Sequence, residues 1–382
     1  MLKFSAHEYP YPSQRQSVFA RRGMVAASQP LAAEAGIEIM RKGGNAIDAA
    51  IATAAALTVV EPTGCGLGGD AFALVWSKGQ LHGLNGNGQA PAALTIEAVK
   101  AGGHEQMPLY GWTPVTVPGC PSAWAELSKR FGKLPFADLL QPAISLARDG
   151  FPLSPVVARQ WQTALEEFSP HRDPVLDAWF DTFLIDGRAP KAGEIFRNPA
   201  QARTLQELAD TACESLYRGA LAQRLDAHSR ATGGYLRASD LQDYRAQWVD
   251  PISINYRGYD VWEIPPSGQG LVALMTLKIL EGFDFDHRDS QQTWHRQLEA
   301  MKLAYSDGLH YITDPLHMRV AVADLLSDAY SSHRRQQISD QAREPNPGDP
   351  HASGTVYLAT ADAEGNMVSF IQSNYHGFGS GV

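Results

Sequence analysis

The chain has 382 residues, 44% of them hydrophobic and 19% charged, which is ample for one large α/β sandwich or for two or three domains. A net charge of −9, from 32 basic and 41 acidic residues, argues against a nucleic-acid partner, and the longest basic runs are pairs such as Arg21-Arg22 and Lys129-Arg130. Cys65, Cys120 and Cys213 lie far apart without ligand-like spacing, Met1–His7 carries no apolar signal run, and no stretch reaches the ~18 apolar residues of a membrane span, so a cytoplasmic protein with reduced cysteines and no membrane contact is expected.

Residues 1–22, rich in Pro, Ser and Arg, are expected to wrap the surface. Gly23–Ser28 has the pattern of a short strand, and Ser28 is placed to cap the helix that follows, with Leu31, Ala35 and Ile39 on one face and a stop at Gly43-Gly44. Asn45 is the expected cap of a second helix, Ala46 to Val60, whose alanines permit close packing. Gly64-Cys65-Gly66-Leu67-Gly68-Gly69 matches the dinucleotide pattern G-x-G-x-x-G, but that motif needs a strand before it and a helix after it. Here a helix precedes and Asp70–Trp76 is a predicted strand, so neither a nucleotide nor any other cofactor is expected. A hairpin through Lys78-Gly79-Gln80 leads to the polar segment Leu84–Pro91, in which Asn85, Gly86 and Asn87 would suffice for a simple turn.

Thr113–Gly119 alternates as a strand should, and helices are predicted from Ser122 to Phe131, from Leu134-Pro135 onward, and over much of 155–235. Ile252–Trp262 gives two strands, and Pro265–Gly270 leads into a helix from Leu271 to Leu280. Glu299 and Lys302, three residues apart on the next helix, fit a surface ion pair. Asp284, Asp286, His287 and Asp289 suggest a metal site at first sight; a solvated acidic loop is the plainer reading, and no metal is expected. Residues 338–354 are rich in Pro, Gly and Asp, as a linker would be.

The last segment carries the chemistry. Val356 and Leu358 fall on one face of a strand, Tyr357 and Ala359 on the other; Asp362–Asn366 supplies the reversal, and Met367–Ser373 returns. If the Gly354–Thr355 bond were cut, the Thr355 hydroxyl would gain a base from its own α-amine, whose pKa of about 7.7–8.0 lies near working pH. The small Gly354 leaves its carbonyl open to attack by that hydroxyl, so the chain could cut itself by an N→O acyl shift. Taken by spacing only, Gly-Thr-Val-Tyr is also an ordinary strand start.

The residues Thr355, Gly365-Asn366 and Phe378-Gly379-Ser380-Gly381 resemble the start of the small subunit in the γ-glutamyltransferase family of N-terminal-nucleophile hydrolases. Gly43–Ala50, Gln141–Phe151, Tyr217-Arg218-Gly219 and the Pro-Pro-Ser loop at 265–267 resemble the same family in order and spacing. The resemblance implies a four-layer αββα sandwich, a large segment 1–354 and a small one beginning at 355–382, and acyl transfer or amide hydrolysis on γ-glutamyl or related acyl amides such as glutathione. It implies Thr355 as nucleophile and Ser373 as the hydroxyl that hydrogen-bonds it. The family's substrate-binding asparagine falls at Tyr375 without gaps, or at Asn374 with a one-residue slip. Its glutathione-processing members carry arginine at the Asn87 position and histidine two residues after the nucleophile, where this chain has Tyr357; an amide cannot replace the arginine's charge-assisted fork. Thr-Val-Tyr-Leu and Ile-Gln-Ser-Asn-Tyr look like the branch grouped with cephalosporin acylases. Family members continue past the position of Val382 to a Ser-Ser pair and a Gly-Gly oxyanion hole, each donor of which is worth ~2.7–4 kcal/mol. A truncated product, inactive as it stands, is therefore one expectation, and a non-catalytic binding or scaffold protein on the same fold is the rival.

Overall fold

The computed structural model of the chain describes residues 17–171, 174–285, 287–345 and 356–382. Gly354, Thr355, Asp286 and most of the expected 338–354 linker lie outside the described residues. The described residues form two compact units, one of 20–248 with 356–382 and one of 17–19 with 249–345.

The first unit is built on a six-stranded sheet. Its order is β1 (Gly23–Ala27), the hairpin strands Val356–Asp362 and Met367–Ser373, β2 (Asp70–Ser77), β3 (Gln80–Gly86) and the short strand Gln247–Val249. The hairpin from the end of the sequence thus occupies the middle of the sheet, antiparallel to β1 on one side and to β2 on the other. Alternation decides its faces: Val356, Leu358, Thr360, Val368, Phe370 and Gln372 are buried, while Tyr357, Met367 and Ile371 stay more than a third exposed. Its turn forms as the sequence predicts, with Gly365 at φ +83°.

Helices α1 (Pro30–Arg41) and α2 (Ala46–Val60) lie under the buried face. Every residue of α2 is buried, as a helix apolar on all sides must be, and it packs between the hairpin and the helix Phe136–Asp149. Asn45 caps it as predicted, in a reciprocal box with Asp48. Two expectations fail here. Ser28 hydrogen-bonds Glu61, and the cap of α1 is Gln29, whose Oε1 accepts from the Leu31 and Ala32 amides at 2.5 and 3.4 Å. Thr113–Gly119 joins no sheet: Pro114 and Pro118 lack ladder donors, Val115 N–H turns back to Trp112 O, and Val117 N–H reaches Gln89 O. The helix after it starts at Cys120, two residues earlier than predicted, with Pro121 in its first turn.

The second unit pairs the strands Ile252–Tyr256 and Tyr259–Glu263 and packs the helix Gly270–Leu280 on Gln291–Tyr311. Leu271, Met275, Ile279, Ala300 and Ala304 form its core. Arg335 closes the end of the first helix by donating to the Lys278 and Ile279 carbonyls. Glu299 and Lys302 do pair, at 2.6 Å, but Glu299 is buried rather than superficial, and its second oxygen accepts from Arg343 N–H at 3.3 Å. Among the described residues no group of three His, Cys, Asp or Glu is placed to hold a metal ion, and no helix is long and apolar enough to cross a membrane.

Candidate active site

Strand register gathers the candidate residues at one end of the sheet. Gln372 pairs with Val356 and Ser373 with Asp70; Ala71 pairs with Gly86. One step beyond the Ala71–Gly86 pair stand Asp70 and Asn87, so Ser373, Asp70 and Asn87 follow one another across three neighbouring strands. Adjacent strands are roughly 4.8 Å apart, so this row spans roughly 10 Å. Val356, the first described residue of the hairpin, stands beside it.

Each member of the row is tied in differently. Ser373 Oγ accepts from Tyr375 N–H at 2.9 Å, an ST turn that holds Tyr375 at φ +72° with its side chain exposed. Asn374 points the other way. Its Nδ2 donates to Pro62 O at 3.3 Å, and with the amide turned over its nitrogen reaches Gly64 O at 3.2 Å and His376 O at 3.0 Å. Asn87 N–H donates to Asn85 Oδ1 at 2.9 Å, the local turn expected of this segment, and Asn87 O accepts from the Tyr244 hydroxyl at 2.7 Å.

Asp70 is the member that reading the sequence missed. Burial pushes its carboxyl up to about 6, against the opposing pull of hydrogen bonds from its own and the Ser373 backbone N–H. Its Oδ1 is buried without a hydrogen-bond partner among the described residues. The only local signal is an acidic residue directly after Gly68-Gly69 and at the first position of a strand otherwise made of Ala, Phe, Leu, Val and Trp up to its last residue, Ser77.

Two of the four glycines in the run before it, Gly64 and Gly69, are required by close packing, whereas Gly66 and Gly68 face open space. A Cβ on Gly69 would lie 2.0 Å from Ser373 O, and one on Gly64 would lie 2.7 Å from Val356 Cγ1. The run is thus a saddle for the ends of the hairpin, and β2 follows it directly, in agreement with the rejection of the nucleotide motif.

Gln372, also missed, holds the row from beneath. Its Nε2 donates to Ala54 O at 2.9 Å and to Cys65 Sγ at 3.3 Å, and its Oε1 accepts from Cys120 Sγ at 3.0 Å. A polar residue on the parity of Val368 and Phe370 was the available sign. Cys65, Cys120 and Cys213 are buried and unbridged, and burial raises all three thiols well above the ordinary range, so none is a ready nucleophile. The loop after the return strand is anchored by Phe378, whose ring lies 5.2 Å from Trp161, 5.4 Å from Trp179 and 4.8 Å from Phe183 between centroids.

Comparison with known proteins gives a match to the family model described as gamma-glutamyltranspeptidase over residues 32–382. The glutathione hydrolase-like YwrD proenzyme of Bacillus subtilis is 37% identical over 372 residues, which is 96% of this chain and 69% of that protein. The oxamate amidohydrolase proenzyme of Klebsiella pneumoniae is 37% identical over 368 residues, 94% of this chain and 68% of the relative. Among solved structures, a cephalosporin acylase from Bacillus halodurans superposes with a TM-score of 0.94 at 58% identity, covering all of this chain and 71% of the other.

Proposed function

The chain belongs to the gamma-glutamyltranspeptidase family of amide hydrolases and acyltransferases, with the N-terminal-nucleophile hydrolase fold of its structural relatives, and we propose that its nucleophile is Thr355, freed by cleavage after Gly354. Cleavage would leave a large segment, 1–354, and a small one beginning at Thr355. In the reaction the Thr355 α-amine takes the hydroxyl proton as Oγ attacks the carbonyl of a small acyl amide. The leaving amine departs with that proton, and the acyl group remains as an ester on Oγ. Water, or a second amine, then attacks the ester and regenerates the hydroxyl.

The observation that supports this reading best is the register. The pair Gln372–Val356 sets the Ser373 hydroxyl at the sheet end where the hairpin strand begins, and the buried Gln372 fixes that end in place. Ser373 is proposed to hydrogen-bond the nucleophile, and Asn87, Asn374 and Tyr375 to contact the substrate. The acyl group is γ-glutamyl, as in glutathione, or a related acyl chain; the relatives' names include glutathione hydrolase-like, oxamate amidohydrolase and acylase proteins. Two segments of one precursor are the only protein partners proposed, and the site of action is the cytoplasm.

Intact-mass measurement of the full gene product tests the proposal. A break between Gly354 and Thr355 is expected, together with loss of both the break and amide turnover in Thr355→Ala. An uncut Thr355→Ala chain that still turned over amides at the native rate would refute it. An uncut native chain that binds acyl amides without hydrolysing them would favour the scaffold reading.

A further inference from the structure

We propose that Phe378 is a positioning residue for the reaction: an aromatic box on neighbouring helices holds its ring, and through the loop that joins them Phe378 keeps the Tyr375 side chain and the Ser373 hydroxyl in place. The inference rests on the reading of Ser373 and Tyr375 as site residues, and it adds the part of the molecule that sets them.

Three observations carry the inference. The first is the backbone of the loop: Tyr375 has φ +72° and Phe378 φ +60°, both in the left-handed region that bulky side chains seldom adopt. Such residues stay there only where their surroundings over-determine the backbone, and positions of this kind gather at ligand sites. The second is what determines it here. The Phe378 ring lies among Trp161, Trp179 and Phe183, on the helices Pro155–Phe168 and Asp177–Phe183. Its neighbours in the loop reach the same region: His376 Nε2 stands 3.2 Å from Glu167 Oε2, and a Cβ on Gly381 would lie 2.7 Å from Phe168 Cε1. The third is the other end of the loop, where Tyr375 N–H donates to Ser373 Oγ. The turn at Tyr375 and the direction of the Ser373 hydroxyl are therefore set together. Removal of the Phe378 ring frees Tyr375 to return to negative φ, which turns its N–H away from Ser373 and swings its side chain off the site.

A ring that only fills the core predicts something different. Its loss would cost the same factor in rate whatever stands at position 375. A ring that acts through Tyr375 costs little once residue 375 no longer needs holding, and glycine both takes positive φ freely and has no side chain to place.

The test uses the full gene product and the γ-glutamyl and glutaryl 4-nitroanilides, read with whichever the native protein hydrolyses faster. Rates are taken per chain cut after Gly354, so that loss of cleavage, which bears on the Thr355 reading, stays separate from loss of positioning. Phe378→Ala should lower kcat/KM by about tenfold or more, as a misplaced site residue does. Phe378→Leu, which refills the box, should stay within about threefold of native. In a Tyr375→Gly background the Phe378→Ala loss should shrink to under about threefold, the non-additivity of residues that act as one unit. If Phe378→Ala does not fold, Phe183→Leu thins the box from the helix side and should show a loss that likewise vanishes in Tyr375→Gly. A loss of equal size in both backgrounds, or a Phe378→Ala loss under about threefold, would overturn the inference. Turnover surviving in Thr355→Ala, or native rates in both Ser373→Ala and Tyr375→Gly, would instead overturn the reading on which it rests.

Discussion

Asp70 shows at the scale of one residue how a buried carboxyl can cost stability. Its carboxyl titrates near 6 in the folded chain, against an ordinary value of 3.8. Between these two pH values the folded state holds more of the proton than the unfolded state does, so this group's contribution to stability falls as pH rises from about 4 to about 6 and stays low above that. A shift of that size corresponds to about 3 kcal/mol at most. Asp70→Asn keeps an oxygen for the Ser373 N–H and removes the buried charge. The variant should therefore be more stable than the native chain by about 1–3 kcal/mol at pH 7 and equal to it near pH 4, as urea unfolding at both pH values would reveal. The neighbouring Tyr244 and Cys120 are held above their ordinary ranges and do not titrate in this window. A variant less stable at pH 7 would mean that the carboxylate is structural.

The hairpin is the element on which the site depends. Asp362 shows how it is fixed to the rest of the sheet: burial opposes its ionisation, yet bonds from the Asn366 side chain and from the Ala46, Asn366 and Glu364 N–H groups outweigh that and hold the carboxyl below the usual range. The Ala46 N–H opens α2, so the turn carboxylate sits on a helix N-terminus, where a negative charge is favoured. Thr360 adds a bond from its hydroxyl to Ala46 O at 2.7 Å. Between these polar anchors Phe370 is 1% exposed and fills the space over the helices. Phe370→Ala should cost about 3–5 kcal/mol in thermal or urea unfolding. A loss under 1 kcal/mol would show that the hairpin is only loosely seated.

Local rules explain which elements were legible. The Asn45 cap, the Gly365 turn and the alternation of Val356 to Ala359 depend on neighbouring residues, and the sequence alone predicts them correctly. Thr113–Gly119 misled because Val115 and Val117 alternate as strand residues do, while two prolines deny the ladder its donors. Glu299 reads as a surface residue because the Arg343 N–H that bonds it lies forty-four positions away in sequence. Asp70 and Gln372 were overlooked for the same reason. Their importance comes from strand register, which joins residues some three hundred positions apart.

At the scale of the whole molecule, the strand order is what makes the end of the sequence indispensable. The hairpin lies between β1 and β2, so the sheet has no continuous middle without it. That arrangement suits a protein cut within one chain, because both pieces remain held by the same sheet after the backbone is broken. Along the sequence the two compact units change over near residue 249 and again between residues 345 and 356, the stretch in which the proposed cut after residue 354 falls.

The central claim is that one threonine attacks the substrate, and a quenched reaction tests it most directly. Enzyme mixed with an acyl anilide, stopped in acid within one turnover and digested, should yield a peptide that begins at Thr355 and carries the mass of the acyl group. Full turnover with no such adduct on any peptide starting at Thr355, or the adduct on another residue, would contradict the account.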